Sequence, residues 1–332
     1  MRRVQTTVVT AVALACALLA ACGKPEPKET PKGAAPQGAK AKKAIMVGFA
    51  QTGNESDWRR ANTESVKSEA EKRGINLKFA DAQSKQENQI KAIRSFITQG
   101  VDVVVIAPIV STGWDPVLKE AKAAKIPVIL SDRRIDTADP SLYVTFIGSD
   151  FVKEGKMAAE WLVKKMNGKA RIVELQGEPG SAPATDRRVG FLDVIKSSPG
   201  MEILDSQSGD FLRARGKVVM EAFLKKHGKN IQALFAHNDD MAIGAIQAIE
   251  EAGLKPGEDV IIVSIDAVKS AFEMMIAGKL NCTVECNPLL GPMIFDAVEA
   301  VMAGKQLPKN TYMVDEVFDQ SKAKDVIASR KY

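Results

Sequence analysis

Short apolar runs alternate with stretches of helical periodicity over most of this 332-residue chain. Runs at 45–50, 77–80, 101–107, 127–130 and 142–147 read as strands, and a second series follows at 171–175, 202–206, 233–236, 260–265 and 281–285. The stretches between them, among them 58–73, 86–99, 150–165 and 239–252, read as helices. Two of these end on a glycine stop, Lys72-Arg73-Gly74 and Glu251-Ala252-Gly253. Val103-Val104-Val105-Ile106 is apolar throughout, as in a strand covered by helices on both faces. Alternation of this kind builds parallel sheets from βαβ units. Two successive five-strand series therefore predict an α/β protein with two doubly wound parallel-sheet lobes. In such sheets ligands bind beyond the carboxyl ends of the strands, so chemistry is expected there.

The first 43 residues break the pattern. Met1-Arg2-Arg3 is positively charged, and residues 8–21 are apolar apart from Thr10. A membrane span needs about 20 apolar residues. This shorter run, with small residues at its end, reads as a secretory signal peptide over residues 1–21. It closes on Leu19-Ala20-Ala21-Cys22, which resembles the lipobox of bacterial lipoproteins and implies acylation of Cys22 and a membrane held through that lipid anchor. An ordinary cleavage site after Ala20 and Ala21 is the alternative. Residues 23–43 are rich in Lys, Pro, Ala and Gly and bury too little to offset ordering entropy, so they read as a flexible tether.

The formal net charge of +5 changes meaning once it is divided. Residues 1–43 hold eight Lys/Arg against two Glu, which leaves 38 basic against 39 acidic residues in the body. A near-neutral body argues against a nucleic-acid partner, while a basic tether suits an anionic lipid surface. Of four cysteines, Cys16 falls in the signal and Cys22 is the lipidation candidate. Cys282 and Cys286 would lie roughly 13 Å apart along a strand, too far for a disulfide without a bend. His227 and His237 fall in other segments, so this pair offers no metal site. Two buried thiols, no metal and no cofactor are expected.

Polar and aromatic residues gather where the strands end. After the first comes Gln51-Thr52-Gly53-Asn54-Glu55-Ser56-Asp57-Trp58-Arg59, which opens a helix. A Trp and an Arg at such a corner suit a polar ring, the Trp stacking on C–H faces and the Arg donating to oxygens. Asp132-Arg133 follows the fourth strand, an acceptor beside a donor. In the second series, Gly209-Asp210-Phe211 offers another apolar face, and His237-Asn238-Asp239 an amide with Asp239 as helix cap. Asp266 ends a further strand, where an uncompensated carboxylate is costly, so Arg133 or ligand hydroxyls are its expected partners. Each position also has a plain structural reading: a packed Trp, a loop salt bridge, a cap.

In this order, Trp58-Arg59, Asp132-Arg133, Gly209-Asp-Phe211, His-Asn238-Asp-Asp-Met241 and Ile265-Asp266 resemble the ribose/galactose class of type I periplasmic binding proteins, over nearly all of residues 45–315. Lys67-Ser-Glu-Ala-Glu-Lys-Arg-Gly74, Gln86-Glu-Asn-Gln-Ile90, Thr112-Gly-Trp114 and Ser206-Gln-Ser-Gly-Asp-Phe211 are similar to its galactofuranose-binding subgroup. The resemblance implies a periplasmic, monomeric receptor that closes two lobes on a monosaccharide and serves an ABC transporter permease. It implies three hinge crossings, near Ile147, Asn287 and Val314, with one lobe over 44–146 and 287–313 and the other over 147–286 and 314–332. It also implies sugar contacts from Trp58, Arg59, Asp132 and Arg133 in the first lobe, and from Phe211, Asn238 and Asp266 in the second. Where the wider class has an Arg-x-Arg before a Gly-Phe pair, this chain has Thr185-Asp186-Arg187 before Gly190-Phe191, so only Arg187 carries over.

Three other functions compete with this one. An enzyme would want a Gly-x-Gly-x-x-Gly turn, a P-loop or a Gly-x-Ser-x-Gly elbow, and none occurs. Asp132 and Asp266 as a hydrolase pair would need one neutral acid, whereas arginine pairing is expected to hold both ionised. A sensor reporting to a chemoreceptor or histidine kinase would use the same closed form. A sugar-responsive repressor shares the fold, but the export signal and the absence of a helix-turn-helix before residue 45 set it aside.

Overall fold

Two six-stranded sheets organise residues 44–332, the part of the chain that this computed structural model describes. The signal segment, Cys22 and the tether lie outside the described residues. The strands are β1 (Met46–Gln51), β2 (Asn76–Asp81), β3 (Val103–Ile106), β4 (Val128–Ser131), β5 (Thr145–Gly148), β6 (Lys169–Gln176), β7 (Gly200–Ser208), β8 (Ala233–Ala236), β9 (Ile261–Asp266), β10 (Cys282–Glu285), β11 (Asn310–Tyr312) and β12 (Val317–Asp319). The helices between them are α1 (Asp57–Lys72), α2 (Gln86–Gln99), α3 (Asp115–Ala123), α4 (Phe151–Lys165), α5 (Ala182–Ile195), α6 (Arg213–His227), α7 (Asp239–Glu251), α8 (Lys269–Ile276) and α9 (Gly291–Met302).

The sheets repeat one order, β11-β5-β4-β3-β1-β2 and β12-β10-β9-β8-β6-β7. Every pairing is parallel except β10 with β12. In each sheet the winding reverses beside the first strand, with β1 between β2 and β3 and β6 between β7 and β8. Such switch points leave a crevice at the carboxyl ends. Residues 149–150, 286–290 and 313–316 carry the chain from one sheet to the other.

β3 shows why these residues make this architecture. Val104 and Ile106 join a core with Ile93, Phe96 and Leu118, while Val103 and Val105 join another with Val66, Ile294 and Phe295. Both faces are dry, and each such aliphatic side chain contributes about 1.5–3 kcal/mol by burial. Gly74 and Gly253 end their helices at φ +65° and +74°, which L side chains avoid. Cys282 and Cys286 are buried and unpaired.

Two local expectations change. The run at 142–147 begins as strand only at Thr145, because Pro140 starts a short 3₁₀ turn (Pro140–Leu142) capped by Asp139. The three-residue strands β11 and β12, too short for a readable alternation, extend the sheets beyond the five strands read from each half.

Candidate functional site

Ser56 caps α1, its Oγ accepting from Arg59 N at 3.1 Å, and this sets Trp58 and Arg59 on the first turn above β1. Asp132 and Arg133 follow the end of β4. From the second sheet come Phe211 in the turn between β7 and α6, Asn238 as the cap of α7, and Asp266 as the last residue of β9. Arg187 rises from the middle of α5. All eight expected residues line one cavity, together with Glu55, Ser56 and Pro183.

The lobes meet on both sides of it. On one rim, Asp57 N donates to Asp240 Oδ2 at 2.8 Å, and Arg213 Nη2 donates to Asp57 Oδ2 at 2.9 Å. Arg213 also donates from Nε to Asp240 Oδ1 at 2.9 Å, so one guanidinium bridges carboxylates of both lobes. On the other rim, Arg134 pairs with Asp186 and Ser111 N donates to Gly180 O at 2.8 Å.

Inside, each guanidinium is anchored by the protein. Arg59 donates from Nε to Glu55 at 3.0 Å, from Nη1 to Gln51 at 3.2 Å and from Nη2 to Asp132 at 2.7 Å. Three of its five N–H bonds are thereby used. Arg133 Nη1 donates to Ile109 O at 3.0 Å. Arg187 donates to Glu154 at 2.7 Å and to the His237 carbonyl at 2.5 Å. Burial works to raise the Glu55 carboxyl, yet Arg59 and Arg133 beside it hold it below its ordinary value.

Three expectations need correction. Arg133 is not the cation nearest Asp266: Arg187 Nη2 stands 3.8 Å from Asp266 Oδ1, whereas Arg133 faces Asp132 and Glu55 at 3.7 and 3.8 Å. At 3.8 Å the pull of Arg187 is outweighed by burial, and the Asp266 carboxyl is pushed well above its ordinary value. The neighbouring arginine therefore does not hold this carboxyl low, against the expectation. Nor does Asp239 cap α7. Asn238 does so, accepting from Met241 N at 3.0 Å, while Asp239 accepts from Val268 N at 2.9 Å and from the Ser264 and Thr283 hydroxyls. Because Asn238 also donates to Phe211 O at 3.2 Å, one amide N–H is left over.

Backbone geometry marks the same place. Asp132, Phe211 and Asp266 sit at φ +63°, +61° and +129° without being glycine. Such residues cost about 1–3 kcal/mol each and gather at functional sites. Phe211 fits because residue 177 is glycine, where an added Cβ would lie 1.9 Å from the ring. Among the described residues, Glu55 Oε2 and Arg133 Nε are buried without a hydrogen-bond partner, and such exceptions call for an explanation. Glu55 was legible in principle, since it shares the strand-end loop with Trp58. Pro183, at the start of α5, carried no polar signal.

Two doubly wound lobes closed over a polar cavity with aromatic residues from each side define a two-lobed small-molecule binding protein. The chain belongs to the periplasmic binding protein family, whose domain profile matches residues 47–306. It is 53% identical to the galactofuranose-binding protein YtfQ of Escherichia coli over 86% of this chain and 92% of that one. A solved binding component of the arabinose ABC transporter from Shewanella sp. ANA-3, bound to α and β-L-arabinofuranose, is 52% identical, with a TM-score of 0.85 over 86% of this chain and 96% of that one. A Mycobacterium smegmatis structure in complex with β-D-fucofuranose is also 52% identical, with a TM-score of 0.85 over 87% and 96%. These relatives are sugar-binding proteins rather than enzymes.

Proposed function

We propose that the chain is the extracytoplasmic receptor of an ABC-type sugar importer and binds a monosaccharide in its furanose form between its lobes. One observation carries this reading: three carboxyl groups (Glu55, Asp132, Asp266) and three guanidiniums (Arg59, Arg133, Arg187) share one small cavity with Trp58 and Phe211. Arg59 and Arg133 are matched by Glu55 and Asp132, a balance that favours a neutral ligand. Fixed donors and acceptors suit hydroxyl groups, and the two aromatic side chains suit the C–H faces of a sugar ring. The furanoses named for the relatives support the ring form.

In this reading the two donors remaining on Arg59, the unpartnered Arg133 Nε and the spare Asn238 N–H donate to sugar oxygens, and Glu55, Asp132 and Asp266 engage its hydroxyls. No bond is made or broken. Closure across residues 149–150, 286–290 and 313–316 leaves each lobe's core intact, and the closed form is what a permease reads. Cys22 carries the lipid anchor, residues 23–43 tether the body, and the receptor works as a monomer.

A thermal-shift screen of the protein against galactose, arabinose, fucose and ribose tests the reading. A ligand at 100 times its Kd adds about 2.7 kcal/mol, or several degrees for a protein of this size. One or two sugars raising the midpoint is the expected result. A folded protein indifferent to every sugar would overturn the assignment.

A further inference from the structure

Asp266 and Ala267 stand at φ +129° and +59°, two successive L residues in the left-handed half of backbone space. Such a turn persists only where its surroundings over-determine it. Three of the restraints come from α7, β10 and the residue that follows β10. Ala267 N donates to Thr283 Oγ1 at 3.1 Å, Val268 N donates to Asp239 Oδ2 at 2.9 Å, and Cys286 N donates to Asp266 O at 3.3 Å.

The fourth comes from 63 residues further along the chain. Arg330 donates to the Ala267 carbonyl from Nε at 3.2 Å and from Nη2 at 2.9 Å. The same Nη2 stands 2.9 Å from Glu285 Oε1 on β10, to which the Tyr332 hydroxyl also donates at 2.8 Å. Tyr332 O accepts from Lys269 N at 2.7 Å, fixing residues 330–332 against the start of α8. The guanidinium lies within 5.2 Å of the ring centroids of Phe272, Phe318 and Tyr332, and only 9% of the side chain is exposed. An arginine so encased is a fixed post, not a mobile surface charge. It does not line the cavity.

We propose that Arg330 is a positioning residue for ligand binding: it clamps the Ala267 carbonyl and so holds the Asp266–Ala267 turn in the form that presents the Asp266 carboxyl to the cavity. This rests on the reading of that cavity as a sugar site. Arg330 then sets affinity through Asp266 without touching the sugar.

The test uses Arg330→Gln in the whole protein, with two readouts. In sugar-free protein, amide hydrogen exchange at Ala267 and Val268 should accelerate about tenfold or more, while Val104 in the other lobe keeps its rate. Calorimetric titration with D-galactose at mutarotational equilibrium should show a roughly tenfold loss of affinity, shrinking to under about twofold when Asp266→Asn is already present. Unchanged exchange at Ala267 and Val268 would overturn the proposal, as would an equal affinity loss with and without the Asp266 carboxyl. Where D-galactose does not bind, the sugar that raises the thermal midpoint takes its place; if no sugar does, the sugar-site reading is what fails, and exchange at Ala267 and Val268 alone decides the clamp. Should Arg330→Gln not fold, Arg330→Met keeps an unbranched stem in the aromatic box without a donor to the Ala267 carbonyl and is read the same way.

Discussion

The indole N–H of Trp58 donates to the carbonyl oxygen of Cys286 at 2.5 Å. Trp58 belongs to α1, beside the first sheet, yet its ring packs into the core cluster of the second lobe. Cys286 begins the second of the three segments that join the sheets. A ring at the cavity is thus tied to the hinge.

Trp58→Phe keeps an aromatic face but leaves a buried carbonyl unpaired. That costs about 1–2 kcal/mol, so sugar affinity should fall roughly 5- to 30-fold. Trp58→Ala should abolish binding with the fold retained by circular dichroism. Full affinity in the Ala variant would remove Trp58 from the site.

Asp132→Asn is a cleaner probe than Ala, because Asn tolerates the φ of +63° at this position. It strips Arg59 of its 2.7 Å ionic partner and leaves Glu55 at 3.0 Å. Breaking a buried pair outright costs about 3–5 kcal/mol, and the surviving partner should hold the loss to about 2–3 kcal/mol. Calorimetry should find affinity reduced about 30- to 150-fold, with the melting midpoint also lowered. Unchanged affinity would show that Asp132 does not meet the ligand.

Arg213, bridging Asp57 and Asp240, touches both lobes without lining the cavity. It is 40% exposed, so the bridge is worth no more than about 1 kcal/mol. Arg213→Gln should speed sugar release about three- to fivefold in stopped-flow tryptophan fluorescence, leaving association nearly unchanged. A slowed association with normal release would place Arg213 outside the closing contacts.

Asp315 joins the crossing segments, accepting from Ser149 Oγ at 3.2 Å and facing the backbone amide of Asn287. Burial pushes its carboxyl from 3.8 up to about 6. A carboxyl raised on folding contributes stability that is full below the unfolded value, near pH 4, and is lost as pH climbs through about 6. The loss is about 2–3 kcal/mol, a few degrees of midpoint. The advantage of the unmodified protein over Asp315→Asn in thermal midpoint should therefore be larger at pH 4.5 than at pH 7.5. A difference that does not vary with pH would contradict this.

Much of the site could be read before the structure because strand ends announce themselves. Trp58-Arg59, Asp132-Arg133, Asn238 and Asp266 each follow an apolar run, and strand carboxyl ends converge at a switch point. Arg187 lies inside a helix where no strand-end rule applies, so only family likeness pointed to it. Partner choice was not readable. Whether Asp266 faces Arg133 or Arg187 depends on tertiary geometry, as does the division of labour between Asn238 and Asp239. The left-handed backbone at Asp132, Phe211 and Asp266 was equally hidden, since none of them is a glycine. β11 and β12 were missed because three residues carry no period.

The most direct test of the central claim is a carbon-13 NMR spectrum of the protein with galactose labelled at C1. Free galactose is mostly pyranose, so a bound anomeric resonance in the furanose range, lost in Asp132→Asn, is the predicted result. A bound pyranose, or no bound signal for galactose, arabinose or fucose, would contradict the account.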